Sequence, residues 1–460
     1  MNNYLPDSST TGIFTQKSKP ALSSSKSLNF TRITLSLLLF VTLAGFELNY
    51  PLVYLIWGRW DAPFGIEAIT SIPLTIIGFF TIHHAFKEVR SVFILFLLFV
   101  FWAIFGGVLV HDTPLKELKN PLVLLAIMAG SYFLFSRHWE DIFPVILYIF
   151  WGVMICYTSF MLSQYVQGNF EYMLTGTQGI YLQRIQVGGV LPTEAATVSI
   201  FLLGYMLYSI RVGFLRLLSS VFAFLAVSFI VYTGSKGAII CLIIVFLIFI
   251  IISRKTIGSK SIFYFLSFLI FAVPFILFYE NFKSIIFLSR FSTESFLYGT
   301  DSRVDIYSLL LTLIQENPLW GVGIGQFFKQ YYINVAHHNY LGIAAEMGIP
   351  AAIFFTISMV AALYSIITNY KTGPKLDNED VSVQYAISFY ETMFYVILFI
   401  QLRGFFHDTW SYKETYFLIG AGLGLKHWIK VNKIKPCDSV CKSNPVTMLN
   451  QGFHGTRIGL

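Results

Sequence analysis

An all-α, polytopic integral membrane fold is predicted by three features of the sequence. Apolar residues arrive in long blocks, charge is scarce, and Lys and Arg are divided unequally between the two sets of connecting loops. Of the 460 residues, 56% are hydrophobic and 12% charged, which is more apolar surface than a water-soluble domain buries. A helix needs ~20 apolar residues to cross a ~30 Å hydrocarbon core. About twelve transmembrane helices are expected on that measure. The blocks are centred on 30–48, 66–83, 92–110, 121–136, 143–163, 189–210, 212–230, 237–253, 261–279, 340–367, 384–401 and 414–429.

The blocks divide the chain into a tail at 1–29, a membrane domain at 30–429 and a basic tail at 430–460. The first tail is polar and Ser-rich, with neither the apolar core nor the small-residue cleavage site of a secretory signal, and reads as a disordered cytoplasmic segment. If it is cytoplasmic, twenty of the 31 Lys and Arg fall on its side of the membrane and eleven on the other. Short loops rich in Lys and Arg stay inside, so both termini are expected in the cytoplasm. The net charge of +7 then reflects orientation, and no nucleic-acid partner is expected. Cys156 and Cys241 fall in apolar blocks, where a thiol acts as a small apolar group. Cys437 and Cys441 lack the second ligand pair that a structural zinc site needs. No short-period or inverted repeat is evident, which counts against a transporter.

One extracytoplasmic loop, 280–338, is much longer than the rest, and loops above ~15 residues are usually functional or disordered. Apolar residues at Val304, Tyr307, Leu310, Leu311 and Ile314 follow helical spacing. Asp301-Ser302 is the expected N-cap and Asn317-Pro318 the expected stop. The cluster Gly321-Val-Gly-Ile-Gly325 fits either close approach to the polar groups of a ligand or a turn re-entering the membrane.

These residues carry a family resemblance. Arg303, Asn317-Pro318, Gly321-x-Gly323-x-Gly325-x-Phe327, His337-His-Asn-Tyr-Leu341 and Glu346-Met-Gly348, in that order, resemble the signature of the bacterial O-antigen ligase and O-antigen polymerase family. Arg184 through Ala195 and Thr233-Gly-Ser-Lys236-Gly237 resemble two further family elements. In these, Thr193 stands where Asn is usual and Lys236 where Arg is usual. Lys236 keeps the charge but lacks the planar fork that grips phosphate bidentately. Counted back from Leu341 and Glu346, the family histidine falls at His337. Reading His338-Asn339 as the dipeptide needs a shift of one residue.

The resemblance implies a GT-C-like membrane glycosyltransferase acting outside the cytoplasmic (inner) membrane on an undecaprenyl-diphosphate-linked oligosaccharide. Arg303 and His337 are the expected catalytic residues. Arg184, Lys236, Arg290 and Arg403 are expected to bind the diphosphate, with His338, Asn339, Glu346, Gly321, Gly323 and Gly325 in support. Independent chemistry agrees, because fixed guanidinium groups stabilise the charge that builds on a leaving diphosphate. His337 has an ordinary pKa suited to taking the acceptor proton, and binding the diphosphate as a cation is equally open to it. Direct attack by the acceptor hydroxyl predicts inversion at the anomeric carbon. No Asp-x-Asp lies on the outer side, so a metal-independent reaction without cofactors is expected.

Simpler roles exist for several of these residues. Arg290 has Glu294 nearby to pair with, Lys236 can extend to lipid headgroups, and Arg403 with His407-Asp408 fits an interfacial anchor. Glu346, expected within the 340–367 span, is costly there unless paired or functional. The acceptor is a second lipid-linked repeat unit for a polymerase or a lipopolysaccharide core for a ligase, and a chain-length regulator is a further expected partner of a polymerase. A lipid-linked sugar flippase is the third reading.

Overall fold

The computed structural model describes residues 24–47, 66–110, 113–166, 170–175, 182–187, 236–253, 293–327, 338–367, 381–407 and 409–433. In lipid every backbone polar group must be satisfied within the protein, which a helix does within its own segment. The helices are α1 (Ser24–Glu47), α2 (Ile66–Thr70), α3 (Ile72–Glu88), α4 (Arg90–Leu109), α5 (Leu115–Arg137), α6 (Trp139–Val166), α7 (Lys236–Ser253), α8 (Thr293–Glu316), α9 (Asn339–Met347), α10 (Ile349–Ile367), α11 (Val381–Arg403) and α12 (Lys413–Lys433).

Six stretches among the described residues are long and apolar enough to cross a membrane: Ala68–Glu88, Arg90–Leu109, Glu117–Arg137, Trp139–Tyr157, Ile349–Ile367 and Tyr385–Arg403. All six fall on expected blocks, and α1, α7 and α12 occupy three more. The blocks at 189–210, 212–230 and 261–279 lie outside the described residues. The protein is thus a helical, polytopic membrane protein.

Helix α5 is the axis of the described bundle, and glycines bring its neighbours onto it. A Cβ on Gly78 of α3 would fall 1.8 Å from the Ala126 carbonyl oxygen. On Gly420 and Gly424 of α12 it would fall 2.1 Å from the Met128 oxygen and 2.5 Å from the Tyr132 oxygen. Small residues at such crossings allow the close backbone approach on which helix association in lipid depends. Beside this axis, Phe389 of α11 stacks on Phe135 and Phe150, and the Trp139 indole N–H donates to the Ser382 carbonyl at 3.0 Å.

The two ends of the bundle differ chemically. At one end Glu88 accepts from Arg137 at 2.6 Å and from the Tyr132 hydroxyl, with His427 Nε2 3.4 Å away. Lys426 donates to the Ser365 carbonyl near the last turn of α10 at 2.6 Å. The opposite end carries Arg403, the last residue of α11, beside the start of α9, where Asn339 N–H donates to Gly404 O.

Three local expectations change. The 340–367 block is two helices, because Gly348 takes φ 88° and caps α9 while Pro350 opens α10, a position where the missing proline N–H costs nothing. Glu346 therefore sits in the short α9, outside the Ile349–Ile367 span. Helix α8 begins at Thr293 rather than at an Asp301-Ser302 cap, since the residues before Asp301 continue the helix. Finally, β1 (Phe170–Thr175) and β2 (Leu182–Val187) form an antiparallel hairpin with Met173 opposite Arg184. Both strands are short and mix apolar with polar residues, so a search for apolar blocks passes over them.

Candidate active site

The site is built on the joint between α8 and α9. After α8, Gly321 N–H donates to Asn317 O at 2.9 Å, while Val322 and Gly323 N–H donate to the Ala345 and Glu346 carbonyls, both at 2.8 Å. Gly325 N–H donates to the Glu346 side chain at 3.1 Å, and Ile349 N–H to Pro318 O at 2.8 Å. The turn lies closer to α9 than any side chain permits. A Cβ on Gly321, whose φ is 68°, would fall 2.4 Å from the Glu346 carbonyl carbon, and one on Gly348 would fall 2.0 Å from Leu319 O.

This geometry decides between the two readings of the glycine cluster. The amides of Gly321, Val322, Gly323, Gly325 and Gln326 all donate within the protein, and a phosphate cradle needs such donors pointing outward. The cluster is a packing turn. Trp320 anchors it to α4, stacking on Trp102 with ring centroids 4.6 Å apart and fitting against Gly106, while Trp102 donates to Leu319 O at 3.0 Å.

The joint sets Arg303 and His338 on the same end of the bundle. Arg303 is half-buried on α8, and Tyr307, one turn later on the same face, presents its ring edge to the His338 ring at 5.7 Å and 90°. His338 is the N-cap of α9, and its Nδ1 accepts from Leu341 N–H at 3.2 Å. With Nδ1 an acceptor, the neutral ring carries its proton on Nε2. Burial lowers the pKa of His338 from its ordinary value, partly offset by a backbone hydrogen bond, which keeps the ring in the neutral form that the cap requires. Burial also raises the neighbouring Tyr340 hydroxyl to about 12.

Arg403 approaches from α11. It is the last residue of that helix and only 1% exposed, so it lies inside the bundle and not at the lipid boundary that an interfacial anchor would occupy. The next residue, Gly404, accepts Asn339 N–H at 2.6 Å, and Phe405 packs against His338 at 5.6 Å and Tyr340 at 4.9 Å. His407 is also buried. Asn339 is fully buried, and neither side-chain polar atom of it has a hydrogen-bond partner among the described residues. Helix α7 joins this group, since it packs against α11 and Gly237 abuts Phe406.

Of the expected site residues, Arg303, Arg403, His338, Asn339, Glu346 and the three glycines therefore gather at one end of the bundle. Lys236 opens α7 beside Phe406, and Arg184 lies in β2; only their backbones are described. His337 and Arg290 lie outside the described residues. Sequence reasoning missed Tyr307 and Phe405 as the aromatic walls around His338. It also missed Glu117 of α5, whose carboxyl carbon would be 3.4 Å from a Cβ on Gly325. The spacing of four between Arg303 and Tyr307 carried a signal, whereas the contacts of Phe405 and Glu117 are purely tertiary.

No curated protein matches the chain. A family model described as O-antigen ligase matches residues 221–356, less than a third of the 460 residues. The matched stretch contains α7, α8, the glycine turn and α9, and leaves Arg184 and Arg403 outside. Motif order and family match thus meet on the same joint, and over residues 221–356 the chain is similar to the O-antigen ligase family.

Proposed function

We propose that the protein is a membrane glycosyltransferase of the O-antigen ligase and polymerase kind, and that it acts as a polymerase. It transfers a growing glycan from undecaprenyl diphosphate to the next lipid-linked repeat unit, at the outer face of the cytoplasmic membrane, with both termini inside. The observation that carries this reading is the convergence of Arg303, His338 and the buried Arg403 on one end of the bundle, within the part of the fold where the family match lies.

Arg303 and Arg403 hold the donor diphosphate, with Arg184, Lys236 and Arg290 supplying further positive charge. Charge accumulates on the diphosphate as the glycosidic bond breaks, so cations fixed in place beforehand favour the transition state over the bound donor. His337 takes the proton of the acceptor hydroxyl. His338 is the poorer base, because its Nδ1 serves the α9 cap; its Nε2–H donates to a phosphate or sugar oxygen instead. Attack and departure in one displacement invert the anomeric centre. A chain-length regulator would act beside such a polymerase.

Reconstitution with lipid-linked repeat unit, with and without lipopolysaccharide core, tests the assignment. Chain growth on repeat units alone is expected. Transfer only to core would favour the ligase reading, which the description of the matched family supports. Movement of unchanged substrate across the bilayer would exclude both.

A further inference from the structure

We propose that Glu346 is a positioning residue: through its contact with Gly325 it fixes the glycine turn, and thereby the placement of the Arg303 helix against the His338 cap. This inference rests on the glycan-transfer reading above. Glu346 holds the turn at two points, its backbone carbonyl accepting Gly323 N–H at 2.8 Å and its side-chain Oε1 accepting Gly325 N–H at 3.1 Å. A carboxylate accepting from a backbone amide makes a stronger bond than a neutral acceptor does. Between those two points the turn reverses direction, so the side-chain bond determines whether Gly325 and the residues after it stay seated on α9.

The consequences run along both flanking helices. Leu310 and Leu313 of α8 share a small buried cluster with Phe327 and Ala345, with Tyr307, Val322 and Leu341 packed around it. That cluster joins the α8 face carrying Arg303 and Tyr307 to the helix that His338 caps. Phe327 lies two residues beyond Gly325, so releasing Gly325 also releases the aromatic side chain that fills the cluster. From the other side, Glu117 of α5 brings its Oε2 to 3.7 Å from where a Gly325 Cβ would be, so the turn is bounded by two carboxylates. An ionisable side chain in the outer part of such a bundle is ordinarily read as an acid or base. Here the geometry assigns it a hydrogen-bond acceptor's role, toward an amide that does not take part in the reaction.

The test compares full-length wild type, Glu346→Gln and Glu346→Ala in lipid nanodiscs. Hydrogen exchange is followed over residues 317–327 by mass spectrometry, and transfer kinetics use the lipid-linked repeat unit as substrate. In Glu346→Ala, exchange across the turn is expected to rise about tenfold or more and kcat to fall at least tenfold, since small misplacements of catalytic groups have effects of that size. Glu346→Gln keeps an acceptor oxygen and is expected to restore the protection and most of the rate, with an unchanged pH profile. Wild-type protection in Glu346→Ala overturns the inference, as does full activity despite an opened turn. A Glu346→Gln variant that is protected but inactive also overturns it, by showing that the charge or the proton matters. If wild type transfers no glycan while the exchange pattern holds, the functional reading fails and the seating of the turn by Glu346 is supported.

Discussion

Asn339 donates its backbone N–H to the carbonyl of Gly404 at 2.6 Å, tying the residue after the His338 cap to the residue after Arg403. The contact is intimate: a Cβ on Gly404 would lie 3.1 Å from the Asn339 Cβ and 3.0 Å from Gln401 O. Asn339 is fully buried and has little room to retreat. Gly404→Ala is therefore expected to cost about 1–3 kcal/mol, as overpacking does, and to separate Arg403 from His338. A thermal shift in detergent and the transfer assay check this; a variant with wild-type melting and rate would refute it.

Arg303 presents the opposite case. It is partly exposed, and Val304 and Asp305 beside it are exposed, so removing its head group leaves the packing of α8 in place. Arg303→Ala is expected to insert, accumulate and melt like wild type while losing transfer by about a hundredfold or more, the scale seen when one fixed donor to a transition-state charge is removed. Arg303→Lys should fall between the two, having charge without the planar fork. Loss of expression in Arg303→Ala would show that the residue acts in folding instead.

The His338 cap makes stability depend on pH in a defined direction. Burial holds the folded pKa below the ordinary value, so the unfolded chain binds the proton more readily. The stability contribution is complete above the ordinary histidine value of about 6.5 and declines as pH falls through the window down to the lower folded value. Protonating Nδ1 also removes the acceptor for Leu341 N–H. Wild type should melt at lower temperature as pH drops through this window. His338→Asn, with a side chain well suited to an N-cap, should show less of that slope. An equal slope in both would place the titrating group elsewhere.

How far the sequence anticipates the structure depends on whether a feature is local. The positions of α3, α4, α5, α6, α10 and α11 follow from block length alone, because lipid imposes a length on apolar helices. The stop at Asn317-Pro318 was likewise readable from its residues. The break at Gly348 was less so, although Gly348 and Pro350 mark it, because apolar residues continue on both sides. The role of Gly321, Gly323 and Gly325 was not readable, since the same spacing serves a phosphate cradle and a packing turn; only the positions of Ala345 and Glu346 distinguish them. Burial of Arg403 was also hidden, because RGFFH has the composition of an interfacial segment and its placement depends on Asn339, 64 residues earlier in the chain.

The separation of the two bundle ends yields the last prediction. Glu88 joins α3, α5 and α12 by accepting from Tyr132 and Arg137 and lying beside His427. Its side chain is 14% exposed while that of Arg137 is 46% exposed, so the bond to Arg137 is partly screened by solvent and the one to the fully buried Tyr132 is the more consequential. Glu88→Ala leaves that hydroxyl without its acceptor, which costs about 1–3 kcal/mol. Helix α5 has 23 residues, so at ~1.5 Å per residue the opposite end, with Arg303 and Arg403, lies roughly 30 Å away. Glu88→Ala should therefore lower the melting temperature and the amount of folded protein while leaving the transfer rate per folded molecule unchanged. A fall in that rate at normal stability would mean that the two ends are coupled through α5, and would assign Glu88 to the catalytic cycle.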